Sequence, residues 1–281
     1  MSSIVTDQGI VHYETYGQGK PVVLLHGWLG SWGLWQRTME VLGRNYRTYA
    51  LDFWGFGDSG KKRETYAVSD FVSLVEQFMD QLGIESAPLV GHSMGGTVSL
   101  SVAIRYPRRA QKVVVVGSPI VGSSLNILLQ LAGFRFIAFM VYNMPALLRL
   151  GVRIGSPLIV NKDPLAWYRA QERDLSKTTL ESFFASIGSL RRTDLRPRLN
   201  EVKVPTLGVY GVGDTIVNPK QYESLKAGVK HAQIAVLDKS RHFPMIDEPE
   251  RFNTMLKEFL DSPTGISNAH DYDPNPSRPA L

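Results

Sequence analysis

Residues 87–105 decide the fold: they read Ala-Pro-Leu-Val-Gly-His-Ser-Met-Gly-Gly-Thr-Val-Ser-Leu-Ser-Val-Ala-Ile-Arg. The apolar run that ends at Val90 predicts a buried strand, and the residues from Thr97 to Arg105 predict a helix. Between them lies a G-x-S-x-G motif with Ser93 at its centre. Its glycines permit a cramped strand-to-helix turn, a nucleophile elbow that lifts the serine hydroxyl clear of the sheet. We therefore predict that Ser93 is a catalytic nucleophile.

Short apolar runs alternate with helix-length amphipathic stretches over most of the chain. Continuous runs, typical of strands buried on both faces, lie at 22–25, 87–90, 113–116 and 206–210, and further strands are predicted at 11–16, 46–51 and 234–237. Helices are predicted from an N-cap at Ser69 to Gly83, and over 250–260. This alternation predicts an α/β fold with a mostly parallel sheet flanked by helices.

The stretch between Ser118 and Val204 breaks this alternation. It contains no convincing strand and is too long for a loop, so we interpret it as a helical insertion, a cap. The predicted organisation is a core of residues 1–118 and 204–261, a cap or lid of residues 119–203, and a poorly ordered tail of residues 262–281.

The net charge of the chain is concentrated in the predicted cap. The whole chain has 31 basic and 26 acidic residues, a net charge of +5. Residues 119–203 hold 12 basic and 6 acidic residues, a net +6, so the rest sums to −1. We expect no nucleic-acid partner, because no basic stripe interleaved with aromatic residues forms a recognisable motif. Arg135, Arg149, Arg153 and Arg169 lie among apolar residues, which suits a peripheral contact with anionic lipid.

The chain contains no cysteine, which excludes disulfides, a thiolate nucleophile and cysteine-based zinc sites. A cytoplasmic location is the simpler interpretation, with peripheral membrane association as the alternative. The first residues lack a basic stretch followed by an apolar one, so no signal peptide is expected. We also expect no metal and no cofactor, since no metal-ligand spacing is present.

A serine nucleophile needs a base, and the base needs an orienting carboxylate. His242 follows the last predicted strand and precedes the closing helix, so it is the predicted base; the other candidates, His12, His231 and His270, are expected to be solvated. Asp214 follows the strand at 206–210 and is the predicted acid, with Asp238 as the alternative. The chain order Ser93, Asp214, His242 is the order that accompanies a nucleophile elbow of this kind.

The oxyanion of the tetrahedral intermediate needs two backbone N–H donors, predicted at Met94 and Trp28. His26 is expected to be a structural histidine of the turn before Trp28. The predicted substrate pocket is apolar and aromatic, and consists of Gly27, Trp28, Trp32, Trp54, Phe56, Leu128, Phe134, Phe139 and Phe243. The apolar residues of the cap, among them Met140, either line an acyl channel or pack the cap against the core.

These motifs resemble those of the serine-dependent α/β-hydrolase fold superfamily. The resemblance spans about residues 8–260, and rests on His26-Gly27-Trp28, the loop from Asp52 to Ser59, the elbow, Gly213-Asp214, and His242-Phe243-Pro244. It implies a sheet of about eight strands, a helical cap inserted after the sixth strand, and hydrolysis through an acyl-enzyme. Haloalkane dehalogenases and epoxide hydrolases are set aside, because they carry Asp where this chain has Ser93.

The resemblance is closest to the capped group that contains carboxylesterases, cofactor-free haloperoxidase-like enzymes, proline iminopeptidases and C–C bond hydrolases. The expected function is therefore hydrolysis of a carboxylic ester with a hydrophobic acyl or aromatic group. Acyl transfer, perhydrolysis and C–C bond hydrolysis on the same triad remain alternatives, and the sequence does not decide the oligomeric state.

Overall fold

An eight-stranded sheet forms the centre of the molecule. The computed structural model describes residues 2–61, 65–132, 134, 136, 139 and 143–263. The strands are β1 (Ser2–Thr6), β2 (Gly9–Tyr16), β3 (Lys20–Leu25), β4 (Tyr46–Leu51), β5 (Ala87–His92), β6 (Ala110–Val116), β7 (Thr206–Gly211) and β8 (Ala232–Leu237). Their order is β1-β2-β4-β3-β5-β6-β7-β8. The pairs from β4 to β8 are parallel, and β1 and β2 are antiparallel to their neighbours. This is the predicted mostly parallel sheet.

Seven of the strands lie where the apolar runs predict them. The sequence pattern does not predict β1, because it is a short edge strand with exposed residues at alternate positions and polar residues at both ends. It pairs only with β2, with Thr6 opposite Gly9 across a tight turn.

Helices cover both faces of the sheet. Outside residues 119–203 they are α1 (Gln36–Leu42), α2 (Val68–Gln81), α3 (Met94–Arg105), α8 (Gln221–Gly228), α9 (Pro244–Asp247) and α10 (Pro249–Asp261). Alternate residues of the strands pack on opposite layers: on β3, Val23 and Leu25 join the cluster under α2 and α3, and Val22 and Leu24 join the one under α1 and α10. This two-sided burial explains why the central strands are continuously apolar.

The predicted N-cap of α2 is wrong. The helix begins at Val68, and the N–H of Ala67 donates to the Asp70 carboxylate at 2.8 Å. Asp70 therefore satisfies one of the free donors at the helix start, in place of Ser69, which lies inside the first turn. Gly83 follows the helix end, as predicted, with a φ of +64°.

The segment between β6 and β7 is helical, as predicted. Its helices are α4 (Ile127–Ala132), α5 (Pro145–Ile159), α6 (Pro164–Ser176) and α7 (Leu180–Leu190), followed by a 3-10 helix at Arg196–Glu201. No strand lies among the described residues of this segment; an isolated bridge joins Val121 to Asp194. Across the described part of the chain, no helix is both long and apolar enough to cross a membrane. Arg135, Met140 and the tail from residue 264 lie outside the described residues.

A charged side chain is buried between the sheet and α10. Lys112, on β6, is 1% exposed. Its ammonium group donates to the carbonyl oxygens of Phe259 at 2.6 Å, Leu260 at 2.9 Å and Ser262 at 2.5 Å. These carbonyls end α10 and have no partner within the helix, so Lys112 serves as a cap for its C-terminus. Burial lowers the pKa of Lys112.

Candidate active site

The predicted site residues follow the carboxyl ends of neighbouring parallel strands. Trp28 follows β3, Ser93 follows β5, Asp214 follows β7 and His242 follows β8. Since β3, β5, β6, β7 and β8 are adjacent and parallel, these loops meet at one edge of the sheet. The candidate site is built on this edge.

Ser93 occupies a strained turn between β5 and α3. Its φ of +51° and ψ of −118° fall in a region that non-glycine residues rarely adopt, at a cost of about 1–3 kcal/mol. Its N–H donates to the carbonyl of Val116 at 2.8 Å, which holds the turn against β6. Gly95 allows the turn to approach β3, because a Cβ there would lie 2.6 Å from the carbonyl oxygen of His26. The Ser93 hydroxyl makes no hydrogen bond to any described residue.

His242 and Asp214 form a buried hydrogen-bonded pair. The Nδ1–H of His242 donates to Oδ2 of Asp214 at 2.8 Å. The other carboxylate oxygen, Oδ1, accepts from the N–H of Ile216 at 2.8 Å and of Val217 at 2.9 Å. Because the carboxylate can only accept, it fixes the proton of neutral His242 on Nδ1 and leaves a lone pair on Nε2.

The pair adjoins the serine through the end of β6. Gly117 follows Val116, whose carbonyl holds Ser93, and a Cβ on Gly117 would lie 3.3 Å from His242 Nδ1. The alternative acid, Asp238, lies elsewhere: it is bound to Arg251 at 3.0 Å and its side chain is 69% exposed. The structure therefore brings Asp214, and not Asp238, to His242.

The main chain of His242 is held from two sides. Its N–H donates to the carbonyl of Ile159, the last residue of α5, at 3.1 Å. Its carbonyl accepts from Nε2 of His92 at 2.9 Å, and the two rings are 4.7 Å apart. Burial lowers the pKa of His92 well below its usual value, so its ring stays neutral. Sequence reasoning missed His92, because it occupies the variable position before the serine of the motif, which does not reveal its hydrogen-bond partner.

Asp247 connects the same loop to the inserted segment. Its carboxylate accepts from the N–H of Arg241 at 2.8 Å, and from those of Asn161 at 2.7 Å and Lys162 at 2.9 Å. Asp247 is buried. Sequence reasoning missed it as well, since an aspartate shortly after the histidine gives no indication of an acceptor for three separate amides.

His26 is fully buried and has both ring nitrogens engaged. Its Nδ1–H donates to the carbonyl of Gly27 at 2.7 Å, and its Nε2 accepts from the N–H of Phe53 at 3.0 Å. Burial lowers the pKa of His26 to about 4. These contacts suit the structural role expected for it. The expectation that His12 is solvated is wrong, because the loop after β4 covers it and its N–H donates to Ser59 Oγ at 2.9 Å.

The two backbone amides predicted for the oxyanion hole are free of intramolecular acceptors. Neither the N–H of Trp28 nor that of Met94 donates to another residue in the described part of the chain. The two loops are in contact, since a Cβ on Gly27 would lie 3.1 Å from the Cβ of Ser93. The indole of Trp28 points to the inserted segment, where its Nε1–H donates to the carbonyl of Phe183 at 3.0 Å.

A cavity of about 650 Å³ opens beside the elbow, between the sheet edge and α6. Of the predicted pocket residues it is lined by Gly27, Trp28 and Phe243. Other residues also line the cavity but were not predicted from the sequence, among them His92, Trp167, Gln171, Met245 and Ile246.

The other predicted pocket residues lie outside this cavity. Trp54 and Phe56 are fully buried in the core cluster, and Leu128, Phe134 and Phe139 are exposed on the surface. Trp32 is half-buried and packs against the cluster under α1.

Ligand-type atoms of His12, Asp52 and Asp58 lie within 4.8 Å of one another. Protein donors already hold the two carboxylates. Asp52 accepts from the N–H groups of Trp32 at 2.7 Å and of Asp58 at 2.9 Å, and Asp58 pairs with Lys177 at 2.8 Å. Burial raises the pKa of Asp52 to about 7. This arrangement braces the turn at residues 52–60.

Known proteins share this architecture and sequence pattern. A family model for the alpha/beta hydrolase fold matches residues 20–249. The chain is 30% identical, over 89% of its length and 90% of the relative's, to a 2-hydroxy-6-oxononadienedioate/2-hydroxy-6-oxononatrienedioate hydrolase of Paraburkholderia phymatum. It is 26% identical to a pimeloyl-[acyl-carrier protein] methyl ester esterase of Vibrio campbellii, over 89% of this chain and 98% of the relative. Among solved structures, a hydrolase from Pseudomonas aeruginosa superposes with a TM-score of 0.82 at 21% identity, covering 93% of this chain and 98% of that one.

Proposed function

The chain belongs to the α/β-hydrolase fold family, and on that premise we propose that it is a serine hydrolase of carboxylic esters with a hydrophobic acyl or aromatic group. One observation carries the proposal. The His242–Asp214 pair, with Nδ1 and Oδ2 at 2.8 Å, adjoins a serine on a strained elbow whose hydroxyl forms no hydrogen bond with any described residue.

In the proposed mechanism, Nε2 of His242 accepts the hydroxyl proton of Ser93 while the serine oxygen attacks the ester carbonyl carbon. The N–H groups of Trp28 and Met94 stabilise the resulting oxyanion. Collapse of the intermediate breaks the bond to the alcohol oxygen, which takes the proton from Nε2 and leaves an acyl-enzyme. Water then gives its proton to His242 and attacks the acyl carbon, and the serine leaves with the proton from His242. Asp214 stabilises the imidazolium in both halves of the reaction.

The lining of the cavity supports an apolar substrate. Its apolar side chains include the rings of Trp28, Trp167 and Phe243 together with Met245 and Ile246. Aromatic and aliphatic walls favour burial of an acyl chain or an aromatic ring over a sugar or phosphate ester. The relative named a methyl ester esterase is consistent with this reaction class.

Hydrolysis of a C–C bond is the second candidate. The relative at 30% identity acts, by its name, on a long dioate, which carries carboxylates at both ends. The cavity is also lined by Arg37, Lys162 and Arg173, which supply basic groups for a carboxylate, and by the acidic Glu40, Asp163 and Asp174. A screen that offers an ester chain-length series, an amide and a C–C cleavage substrate separates the two activities. Added alcohol, amine or peroxide as competing nucleophiles reports acyl transfer or perhydrolysis in the same screen.

The substitution Ser93→Ala tests the assignment of the nucleophile. We expect turnover of p-nitrophenyl acyl esters to fall by at least about a thousandfold, and covalent labelling by a fluorophosphonate to disappear. Ser101→Ala, a partly buried serine on α3, is the matched control and is expected to keep both. Turnover at the wild-type level in Ser93→Ala would contradict the proposal.

Several further roles are part of the proposal. Residues 119–203 act as a cap over the core formed by 1–118 and 204–261. The protein works in the cytoplasm on a small hydrophobic ester, without a cofactor or a nucleic-acid partner. The cap also makes a peripheral contact with lipid.

A further inference from the structure

Helix α5 carries an apolar stripe on its solvent side. Four side chains that are each more than half exposed recur at helical spacing: Leu147, Leu150, Ile154 and Leu158. The opposite side of the helix is also apolar, with Val152 and Ile159 packed against the core cluster. A helix that is apolar on both sides is typical of an element with a second apolar contact. The contact of this apolar stripe with water is therefore unfavourable.

The stripe continues onto α4. The Asn126 side-chain amide donates to the carbonyl of Thr215 at 3.0 Å, and the Thr215 hydroxyl donates to the carbonyl of Leu158 at 2.8 Å. The start of α4 and the end of α5 therefore meet at one residue. Ile127 and Leu128, in the first turn of α4, are exposed as well, and so are Phe134, Phe136 and Phe139 further along the chain. We call the exposed apolar side chains of residues 127–158 the apolar cap surface. Exposed apolar side chains grouped in this way are typical of an interaction site.

The charged residues within the segment that carries the apolar cap surface are all basic. Residues 119–162 contain four basic residues, Arg135, Arg149, Arg153 and Lys162, and no aspartate or glutamate. Arg149 and Arg153 lie one turn apart on α5 and are exposed, and Arg153 forms no ion pair with any described residue. Arg149 lies 3.5 Å from Glu172, a solvent-exposed pair that contributes little.

The apolar stripe and the basic residues together indicate which partner binds the apolar cap surface. A second copy of the chain would bring arginines against arginines across a two-fold interface, which is unfavourable. An anionic bilayer accepts the apolar side chains at its acyl boundary and pairs its headgroups with the arginines beside them. Basic charge next to a long apolar stripe therefore complements anionic lipid.

We propose that the apolar cap surface docks on anionic lipid bilayers, with α5 lying in the plane of the interface. This docking specifies the proposed lipid contact. It rests on the proposed function in one respect: a hydrophobic ester would reach the site from the bilayer. The contacts of α5 place the site close to this surface. The carbonyl of Leu158 holds Thr215, beside Asp214, and the carbonyl of Ile159 holds the N–H of His242.

Co-sedimentation with vesicles tests the proposal. The probes are vesicles of equal parts phosphatidylglycerol and phosphatidylcholine, and vesicles of phosphatidylcholine alone, at low and at raised salt. The test variants are Leu150→Ser/Ile154→Ser and Arg153→Gln. The first control is Val5→Ser, because the exposed fraction of Val5, 72%, is close to the 69% of Ile154. The second control is Arg108→Gln, which replaces an exposed arginine just before β6, at the end of the sheet opposite the candidate site. Urea unfolding checks that all variants fold alike.

We expect the wild type to bind the anionic vesicles, and to bind less at raised salt or without phosphatidylglycerol. The double variant should lose at least about tenfold in partitioning, and Arg153→Gln about fivefold, with both controls unchanged. Ser93→Ala should bind like the wild type, so a failure of the proposed chemistry is distinguishable from a failure of docking.

Three results would overturn the proposal. The first is a wild type that does not sediment with the anionic vesicles. The second is equal binding by the double variant and the Val5→Ser control. The third is a wild-type dimer in solution that the double variant converts to a monomer, which would assign the surface to a second copy of the chain.

Discussion

Replacing Asp214 by asparagine reverses one hydrogen bond and leaves the others in place. Oδ1 accepts from two backbone N–H groups, those of Ile216 and Val217. An amide NH₂ there would face two donors, so the amide oxygen of Asn takes the Oδ1 position. The NH₂ group then takes the Oδ2 position, 2.8 Å from Nδ1 of His242, and donates to it. A ring that accepts at Nδ1 carries its proton on Nε2.

That tautomer removes the lone pair that the proposed mechanism uses to accept the Ser93 proton. In Ser-His-Asp hydrolases the corresponding change lowers kcat by about ten-thousandfold, or about 5.5 kcal/mol of transition-state stabilisation. The asparagine side chain still makes three hydrogen bonds, as the aspartate does. The free energy of unfolding should therefore change by less than about 1 kcal/mol. We therefore expect a large loss of kcat in Asp214→Asn, with little change in KM or in stability.

The assay is turnover of a p-nitrophenyl ester at saturating and subsaturating concentrations, combined with urea unfolding of the same preparations. Asp238→Asn is the matched control, because Asp238 is the other acid near His242 in sequence but pairs with Arg251 on the surface. It should keep wild-type kcat. A folded Asp214→Asn variant with kcat within about tenfold of the wild type would refute the assignment of the acid.

Three further changes test the packing around the site and the core. Gly27→Ala should lower kcat/KM by about tenfold to a hundredfold, because its Cβ would lie 3.1 Å from that of Ser93 and push the two loops apart; steady-state kinetics measure this. Lys112→Met should lower the free energy of unfolding by about 2–3 kcal/mol, since it removes the ammonium donor from three carbonyls, of which that of Phe259 keeps a second donor, the Ser262 hydroxyl; urea unfolding measures it. Burial raises the pKa of Asp174 to about 6, so the folded protein keeps this proton to a higher pH than the unfolded chain does. Its stabilising contribution is full below about pH 4 and is lost as the pH rises through 6, and Asp174→Asn, which can still accept from the Ser31 hydroxyl, should flatten urea stability over that interval.

The fold and the placement of the three proposed triad residues follow from local pattern and chain order. Continuous apolar runs identify strands buried on both faces, and the residue after each run lies at the carboxyl end of its strand. Ser93 and Asp214 each follow such a run, and His242 follows the half-buried edge strand β8, so parallel pairing brings all three to one edge. The edge strand β1 escapes this reasoning, because a strand with one neighbour and an exposed face needs no continuous apolar run.

The substrate cavity could not be predicted in the same way. Trp54 and Phe56 have the composition of pocket residues but are buried in the core, whereas Trp167 lines the cavity from a cap helix. Which face of a cap helix turns toward the sheet is decided by packing between segments far apart in sequence. The amphipathic pattern of a single helix does not contain that information.

The inserted helical segment, which we propose to be a cap, and the proposed catalytic edge of the sheet are connected more closely than their separation in sequence suggests. The backbone N–H of His242 donates to the carbonyl of Ile159 at the end of α5, and the carboxylate of Asp247 accepts from the N–H groups of Asn161 and Lys162, shortly after α5. A displacement of α5 along its axis therefore acts on the main chain of the proposed base. Since the outer face of the same helix is the exposed apolar stripe, a contact made there has a short covalent and hydrogen-bonded route to His242. The junction at residues 159–162 should consequently tolerate fewer substitutions than the exposed turns of α5 that precede it.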